Sequence, residues 1–341
     1  MDNHEPKTEP KHQQEPRPLK LIHMNEVQAE EIKWLWYPYI PFGKITVIQG
    51  DPGDGKTTAV LAIAAAITTG TALPETTTTA EPMSVIFQTA EDGLGDTIKP
   101  RLVQSGADCR RVIVIDESEK ELSLSDLRIE QAITLTNAKL FILDPLQAYI
   151  GSDVDMHRAN EIRPVLKRIS TVAEKTGCAI VVIGHLNKGT NKSQYRGLGS
   201  IDIQAAARSV LTVGRIKGKP YVRAMAQGKN NLAPEGKTIG FELDPDNGFR
   251  WCGVMDVTID DMLSGKMPER DTTYDRAIEF LKMQLPKGEK LATEIYTAAE
   301  AEGLHETTLK KAKSALGISS FKRQNRWYWK ASQATMESVN E

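Results

Sequence analysis

Short apolar runs alternate with longer helical patterns over most of the chain. The runs lie at 44–49, 83–88, 111–115, 139–143 and 179–183. Each is mostly apolar, which is typical of a strand buried on both faces of a sheet. Between the runs, residues 58–67 and 159–176 have the spacing of helices. The alternation predicts an α/β fold in which a mostly parallel, twisted sheet is flanked by helices on both sides.

Polar segments divide the chain into a large and a small domain. Residues 1–30 are rich in Pro, Glu, Lys, Gln and His, and such a mixture buries too little apolar surface to offset the entropy of ordering. We therefore expect this arm to be disordered. It is followed by an α/β domain at 31–262, a linker at 263–273, a small domain at 274–331 and a disordered tail at 332–341.

The small domain is predicted to contain three helices and a hairpin. The helical patterns lie at 275–285, 292–301 and 306–316, and the hairpin at 321–330. This order of elements resembles a winged helix, a module that contacts DNA in some proteins and docks proteins in others.

Charge and aromatic residues near the carboxyl end are compatible with both uses. Residues 305–330 hold seven lysines and arginines but one acid, Glu306. Such an excess suits a helix and a wing that lie on a phosphate backbone. Trp327, Tyr328 and Trp329 are expected to close the small core, the commoner use of tryptophan in a hairpin.

Composition limits where the protein works. The 43 lysines and arginines nearly balance 45 aspartates and glutamates, so any basic surface must be local. Cys109, Cys178 and Cys252 lack the paired spacings of zinc and redox sites, and we expect them to be buried thiols in a reducing cytosol. No apolar run approaches the roughly 20 residues of a membrane span. These features predict a soluble cytoplasmic protein.

A phosphate-binding loop stands between the first strand and the first helix. Gly50-Asp51-Pro52-Gly53-Asp54-Gly55-Lys56-Thr57 matches G-x-x-x-x-G-K-[ST] at every fixed position, and Thr58 follows it. The amides at such a helix start favour an anion. Lys56 is expected to reach the β- and γ-phosphates of ATP, and the Thr57 hydroxyl to bind Mg²⁺. The alternative is a glycine-rich turn that matches by chance.

Carboxylates after two other strands complete the predicted chemistry. Asp144 ends the run at 139–143, a strand that we expect to neighbour the phosphate-loop strand. It is the candidate second ligand of Mg²⁺, although a helix cap would look the same. Glu91, with Asp92 beside it, follows the run at 83–88. It is placed to orient the attacking water if that strand neighbours the phosphate-loop strand. The alternative is that the pair merely starts a helix.

The order of these motifs resembles the RecA-like P-loop ATPases of the AAA family. After the loop come Thr89-Ala90-Glu91-Asp92-Gly93, Asp144-Pro145-Leu146 and Gly184-His185-Leu186-Asn187-Lys188. More narrowly, the chain resembles the hexameric RepA-type replicative DNA helicases of plasmids, phages and integrated elements. The resemblance covers about residues 34–253. It is most specific where Gly197-Leu198-Gly199-Ser200 precedes Ala207-Arg208-Ser209.

The resemblance implies roles for three further residues. His185 would sense the γ-phosphate, although a lone histidine at a strand end is more often structural. Arg208 would be an arginine finger in the site of an adjacent subunit, where the alternative is a surface salt bridge. Lys229 would be a second basic finger, but Asn231 stands where the DnaB-type pattern has arginine. Fingers that act in trans imply a homo-oligomer, expected to be a hexamer.

The segment after His185 is the expected nucleic-acid contact. Lys188, Lys192 and Arg196 are candidates for contacts to phosphates, and Tyr195 for stacking on a base. A solvated loop with ordinary surface charge is the alternative.

Together these features predict an ATP- and Mg²⁺-dependent motor that translocates on or unwinds DNA, expected to be single-stranded. The resemblance implies that this motor is a replicative helicase of a mobile element. A replication initiator or primase would be its partner. A recombination or repair ATPase, the second hypothesis, would use the same catalytic residues as the helicase. A nucleotide-gated DNA-binding regulator is the third hypothesis.

Overall fold

The computed structural model describes residues 21–76, 80–151, 154–156, 158–186, 201–264, 272–285 and 289–330. Its contacts divide the chain into two units, Met1–Lys33 and Trp34–Glu341. In the first unit, the described residues 21–33 are exposed and contain one short 3₁₀ turn, Met24–Glu26. Several predictions fall outside the described residues: most of the arm, the linker residues 265–271, the tail, and the loop that holds Lys188, Lys192, Tyr195 and Arg196.

The second unit begins with a small hairpin and continues as an α/β domain. The strands are β1 (Trp34–Trp36), β2 (Ile40–Pro41), β3 (Ile45–Gly50), β4 (Val85–Thr89), β5 (Val112–Ile113), β6 (Leu140–Asp144), β7 (Ala179–His185), β8 (Ser209–Ile216), β9 (Lys219–Asn230), β10 (Ile239–Asp244) and β11 (Gly248–Val254). The helices are α1 (Lys56–Thr69), α2 (Lys99–Gln104), α3 (Leu127–Thr136), α4 (Ala159–Thr176), α5 (Ile201–Ala206) and α6 (Ile259–Ser264).

A nine-stranded sheet organises this domain, in the order β11-β10-β9-β8-β3-β7-β6-β4-β5. Strands β8, β3, β7, β6, β4 and β5 are parallel, which confirms the predicted mostly parallel sheet. Strands β9, β10 and β11 extend one edge by antiparallel pairing, an extension that we did not predict.

The strand order corrects two neighbour relations assumed from the sequence. β4, which precedes Glu91, pairs with β5 and β6, so β6 and β7 both lie between it and the phosphate-loop strand β3. β6, which ends at Asp144, is separated from β3 by β7. A chain order of apolar runs predicts buried parallel strands but does not fix which strands are adjacent. The run predicted at 111–115 is also shorter than expected, because β5 holds only two half-buried residues.

Apolar side chains cover both faces of the sheet. On one face, α1 and α2 pack with Trp36, Phe87 and Phe241. On the other face, α3, α4 and α5 pack with Phe141 and Tyr149. The predicted layered arrangement follows from strands whose residues are buried on both sides.

A small module of three helices and a three-stranded antiparallel sheet forms the last part of the described chain. Its elements are α7 (Thr272–Gln284), β12 (Glu289–Leu291), α8 (Ala292–Ala301), α9 (Glu306–Ala315), β13 (Ser319–Arg323) and β14 (Arg326–Lys330), with the strand order β12-β14-β13. The three predicted helices and the hairpin are present, and the short strand β12 is additional. Trp329 is buried among Phe280, Ile295 and Leu309. Trp327, expected in the same core, is instead 55% exposed.

Two of the three cysteines differ from expectation. Cys178 is buried, whereas Cys109 is half-buried and Cys252 is exposed. Cys252 lies on the edge strand β11, where alternate residues face solvent. In the described ranges, no helix has the length and the hydropathy needed to cross a bilayer.

Candidate nucleotide site

The phosphate loop leaves the end of β3 in a conformation that requires glycine. Gly53 and Gly55 have φ values of 77° and 87°, in the left-handed region that glycine adopts without strain. Gly50 meets a different limit, because a Cβ there would lie 2.4 Å from the carbonyl oxygen of Val213 on β8. The loop therefore curls tightly against the neighbouring strand before α1 begins at Lys56.

The lysine of the motif lies across the loop it belongs to. Lys56 is 6% exposed, and its Nζ donates to the carbonyl oxygens of Gly50 and Asp51, both at 3.0 Å. The same Nζ lies 3.3 Å from Nδ1 of His185. Burial lowers the pKa of Lys56, while the carboxylates of Asp54 and Asp144 oppose that shift. The loop thus holds an ammonium group at its centre.

The two candidate magnesium ligands touch each other. Thr57 Oγ1 donates to Asp144 Oδ2 over 2.6 Å, although β7 lies between the strands that carry these residues. Burial raises the pKa of Asp144 from 3.8 to about 6. The Thr57 hydrogen bond lowers it, and the nearby charges of Glu91 and Asp92 raise it. A hydroxyl and a carboxylate are oxygen ligands of the kind that Mg²⁺ prefers, so this pair would suit a magnesium ion.

The acidic pair after β4 lies close enough to act on this site electrostatically. Glu91 is exposed, and its charge raises the pKa of Asp144. Asp92 instead forms an ion pair with Arg101 of α2, with 3.2 Å between Nη1 and Oδ2. Although β4 does not neighbour β3, the structure brings Glu91 near Asp144 because the parallel strands end at one edge of the sheet.

His185 ends β7, the strand between the phosphate loop and Asp144. It pairs in register with Gly50, and burial together with Lys56 lowers the pKa of its imidazole. Both causes favour the neutral form of the ring, whose Nδ1 faces the lysine ammonium.

The two candidate fingers lie away from their own phosphate loop. The backbone N–H of Arg208 donates to the carbonyl of Ile45, which places this exposed arginine at the beginning of β3, about 17 Å of strand from Gly50. Lys229 lies nearby, and its Nζ donates to the carbonyl oxygens of Gln204 at 2.6 Å and Ala207 at 2.9 Å. The Lys229 ammonium thus binds the carboxyl end of α5.

An arginine on β8, which we did not predict from the sequence, fastens the tip of the loop. Arg215 Nε lies 3.0 Å from Asp54 Oδ1, and its Nη2 donates to the carbonyl oxygen of Gly53 over 2.9 Å. Asp54 is 7% exposed and also accepts from the backbone N–H of Asp51. No local pattern marks Arg215, because it is 161 residues from Asp54 in the chain.

A second polar contact joins β3 to α5. Gln49, the residue before the loop, is 6% exposed, and its Oε1 accepts from Gln204 Nε2 over 3.1 Å. Its Nε2 lies 3.3 Å from the Thr212 hydroxyl on β8. The strand that presents the phosphate loop is thereby hydrogen-bonded to the helix whose end Lys229 binds. In the sequence, this contact could have been suspected only from Gln49 itself, a polar residue in a mostly apolar run.

A protein-family model and known proteins are similar to part of this chain. A family model described as an AAA domain, AAA_25, matches residues 10–191. The DNA repair protein RadA of Bacillus subtilis (strain 168) is 24% identical over 182 residues, which cover 51% of this chain and 36% of that protein. The DNA repair protein RadA of Halalkalibacterium halodurans is 25% identical over 187 residues, which cover 54% and 35%. The chain thus matches about a third of the length of these relatives.

Proposed function

We propose, from the premise that the chain belongs to the AAA domain family AAA_25, that this RecA-like P-loop ATPase couples ATP hydrolysis to movement on DNA. One arrangement carries the proposal. Lys56 in the phosphate loop contacts His185 at the end of β7, and Thr57 contacts Asp144. The residues proposed to bind phosphate and Mg²⁺ therefore lie beside the strand that precedes the proposed DNA contacts. A protein that only bound nucleotide would not need the contact between the phosphate loop and β7.

The hydrolytic step uses residues of one chain. Lys56 neutralises charge on the β- and γ-phosphates. Thr57 and Asp144 would hold Mg²⁺, which would supply further positive charge to the phosphates. Glu91 orients a water molecule and accepts its proton as the water attacks the γ-phosphorus and the bond to the bridging oxygen breaks. The Asp92–Arg101 ion pair favours Glu91 over Asp92 as this base, because the Asp92 carboxylate is already engaged.

His185 connects this step to the DNA. Its Nδ1 faces Lys56, so loss of the γ-phosphate changes the partners available to the lysine and hence to the imidazole. The segment that follows holds the proposed DNA contacts Lys188, Lys192 and Arg196. A displacement at His185 would pass directly into it along the backbone.

We propose that Arg208 completes the site of an adjacent chain. It is exposed and far from its own loop, as a residue that acts in trans must be. The hydrogen bonds of Lys229 support a positioning role in which it holds the end of α5 beside Arg208, and its role as a second finger stays a prediction. A homo-oligomer, proposed to be a hexamer, is therefore part of the mechanism.

The carboxyl-terminal module is proposed to be a winged helix that contacts DNA. Its order of helix, strand, two helices and hairpin is that of the fold, and its excess of lysine and arginine at 305–330 suits phosphate.

Two biological roles share this chemistry. The motif order supports a RepA-like replicative helicase, working with an initiator or primase. The similarity to proteins named DNA repair protein RadA supports a recombination or repair ATPase. Unwinding of a forked duplex would favour the first, and movement of a branched junction without unwinding the second.

The decisive test is ATP hydrolysis by the wild type and Lys56→Ala, with and without single-stranded DNA, over a range of protein concentrations. We expect DNA to stimulate hydrolysis, the stimulation to need Lys56, and the specific activity to rise with concentration. A hydrolysis rate that does not change when DNA is added would contradict the motor hypothesis and favour a nucleotide-gated regulator.

A mixing experiment tests the finger. Lys56→Ala and Arg208→Ala should each be inactive alone, but their mixture should recover part of the activity, because some junctions pair an intact loop with an intact arginine. Recovery that is absent from mixed oligomers would show that Arg208 does not act in trans.

A further inference from the structure

A groove opens between the hairpin of the carboxyl-terminal module and the start of α8. Its volume is about 650 Å³, within the range of pockets that hold compact ligands. Three aromatic rings line it, those of Tyr296, Trp327 and Trp329, together with the cationic side chain of Lys313.

The aromatic residues differ in what they do. Trp327 and Trp329 lie two residues apart on β14, so they project to the same face of the small sheet. Trp329 is 3% exposed and belongs to the core, where Tyr296 meets it edge-on at 5.2 Å between ring centroids. Trp327 lies beyond the core and is 55% exposed. A large flat ring held at the rim of a groove, and not needed for the core, is suited to stacking on a ligand.

The charge of the groove indicates the kind of ligand. Lys313 Nζ lies 4.7 Å from the centre of the Trp329 ring and donates to the Ser320 hydroxyl, so its ammonium is fixed at the wall. The lining residues include no carboxylate. An apolar peptide could cover the rings but would leave the Lys313 ammonium without a counter-charge. A nucleotide supplies a flat base and an anionic phosphate together.

We propose that this groove binds an unpaired nucleobase, with Trp327 stacked on the base and Lys313 facing an adjoining phosphate. The proposal rests on the proposed contact between this module and DNA, and it specifies single-stranded nucleic acid as the ligand. A base inside a duplex is covered on both faces by its neighbours and cannot stack on Trp327.

The test measures binding of the full-length protein, without nucleotide, to a fluorescent single-stranded oligonucleotide and to an abasic oligonucleotide with the same number of phosphates. Trp327→Ala should weaken binding to the normal strand about tenfold, within the range for loss of one stacked base, and leave binding to the abasic strand unchanged. Trp327→Phe should restore most of the affinity, because it keeps an aromatic face. Because Trp327→Phe also removes the Trp327 indole, any change in tryptophan fluorescence on binding that is lost in this variant comes from Trp327.

Tyr328→Ala is the matched control. Tyr328 lies on the opposite face of β14, stacked on Phe321 with ring centroids 5.7 Å apart, so its loss disturbs the hairpin without altering the groove. Equal effects of Trp327→Ala and Tyr328→Ala would overturn the proposal, as would a Trp327→Ala effect that is the same on normal, abasic and duplex DNA. A response of Trp327 fluorescence to a short apolar peptide but not to the oligonucleotide would make the groove a peptide site.

These outcomes separate the groove from the motor. If Trp327→Ala binds single strands as wild type does while DNA still stimulates hydrolysis, the groove proposal fails and the motor stands. If hydrolysis ignores DNA but Trp327→Ala weakens binding to the normal strand alone, the motor fails and the groove stands.

Discussion

Removal of the buried charge of Asp144 should stabilise the metal-free protein while it abolishes hydrolysis. Asp144 is 6% exposed, and burial raises its pKa from 3.8 to about 6. Each pKa unit corresponds to about 1.4 kcal/mol, so ionising Asp144 costs about 3 kcal/mol more in the folded chain than in the unfolded one. Asp144→Asn keeps the shape and an oxygen that accepts from Thr57, but it carries no charge. We therefore expect the free energy of unfolding to rise by about 2–3 kcal/mol at neutral pH.

The sign fixes how this gain depends on pH. A raised carboxyl pKa means that the folded chain binds the proton more tightly, so ionisation destabilises it as pH increases from about 4 to about 6. The stability difference between Asp144→Asn and the wild type should grow over this range, from about half its final size at about pH 5 to about 3 kcal/mol above about pH 7. Magnesium with a nucleotide should then stabilise the wild type and have little effect on the variant, because Asp144 is a proposed ligand.

Urea unfolding in EDTA, followed by tryptophan fluorescence over this pH range, measures the effect. Asp126→Asn is a suitable control, because hydrogen bonds from Arg128 lower the pKa of Asp126 and its charge stabilises the folded chain. That variant should lose stability at neutral pH, the opposite sign. An Asp144→Asn protein that is no more stable than the wild type, or a difference that does not change with pH, would refute the reasoning.

Three further predictions concern the loop and its neighbours. Arg215→Ala should raise the KM for ATP about fivefold with a smaller change in kcat, because two hydrogen bonds to the loop are lost at a half-exposed site. Arg215→Lys should not restore these hydrogen bonds, and steady-state kinetics of both variants measures the effect. Gly50→Ala should lower the free energy of unfolding by about 1–3 kcal/mol in urea, because its Cβ would meet the Val213 carbonyl, whereas Gly95→Ala, with no atom within 4 Å of the added Cβ, should be near neutral. His185→Asn should reduce DNA stimulation of hydrolysis in greater proportion than the rate without DNA; equal reductions would contradict the sensor role.

The phosphate loop could be predicted from the sequence because its requirements are local. Glycines at fixed offsets, a lysine and a hydroxyl residue stand between an apolar run and a helical pattern, and the structure places them at the end of β3 and the start of α1. The buried strands were predictable for the same reason, since burial on both faces leaves a continuous apolar run.

Contacts between distant segments could not be predicted in this way. Arg215 and Asp54 are ordinary charged residues in the sequence, and only the pairing of β8 with β3 brings them together. The order of the strands likewise depends on how the crossovers pack, which the hydrophobic pattern does not record. The exposure of Cys252, by contrast, was readable from the alternation of Phe249, Arg250 and Trp251 before it.

The position of β3 in the sheet has a consequence for the synthesis of the protein. β3 pairs with β7 and β8, and one contact between these strands, from Gln49 to Thr212, joins residues 163 positions apart. At about 5–20 residues per second, the ribosome needs roughly 10–30 seconds after β3 to complete its partners. During that interval an apolar strand and a glycine-rich loop have no neighbours to pair with. The phosphate loop is thus made well before the strand that supports it, because 163 positions separate Gln49 from Thr212.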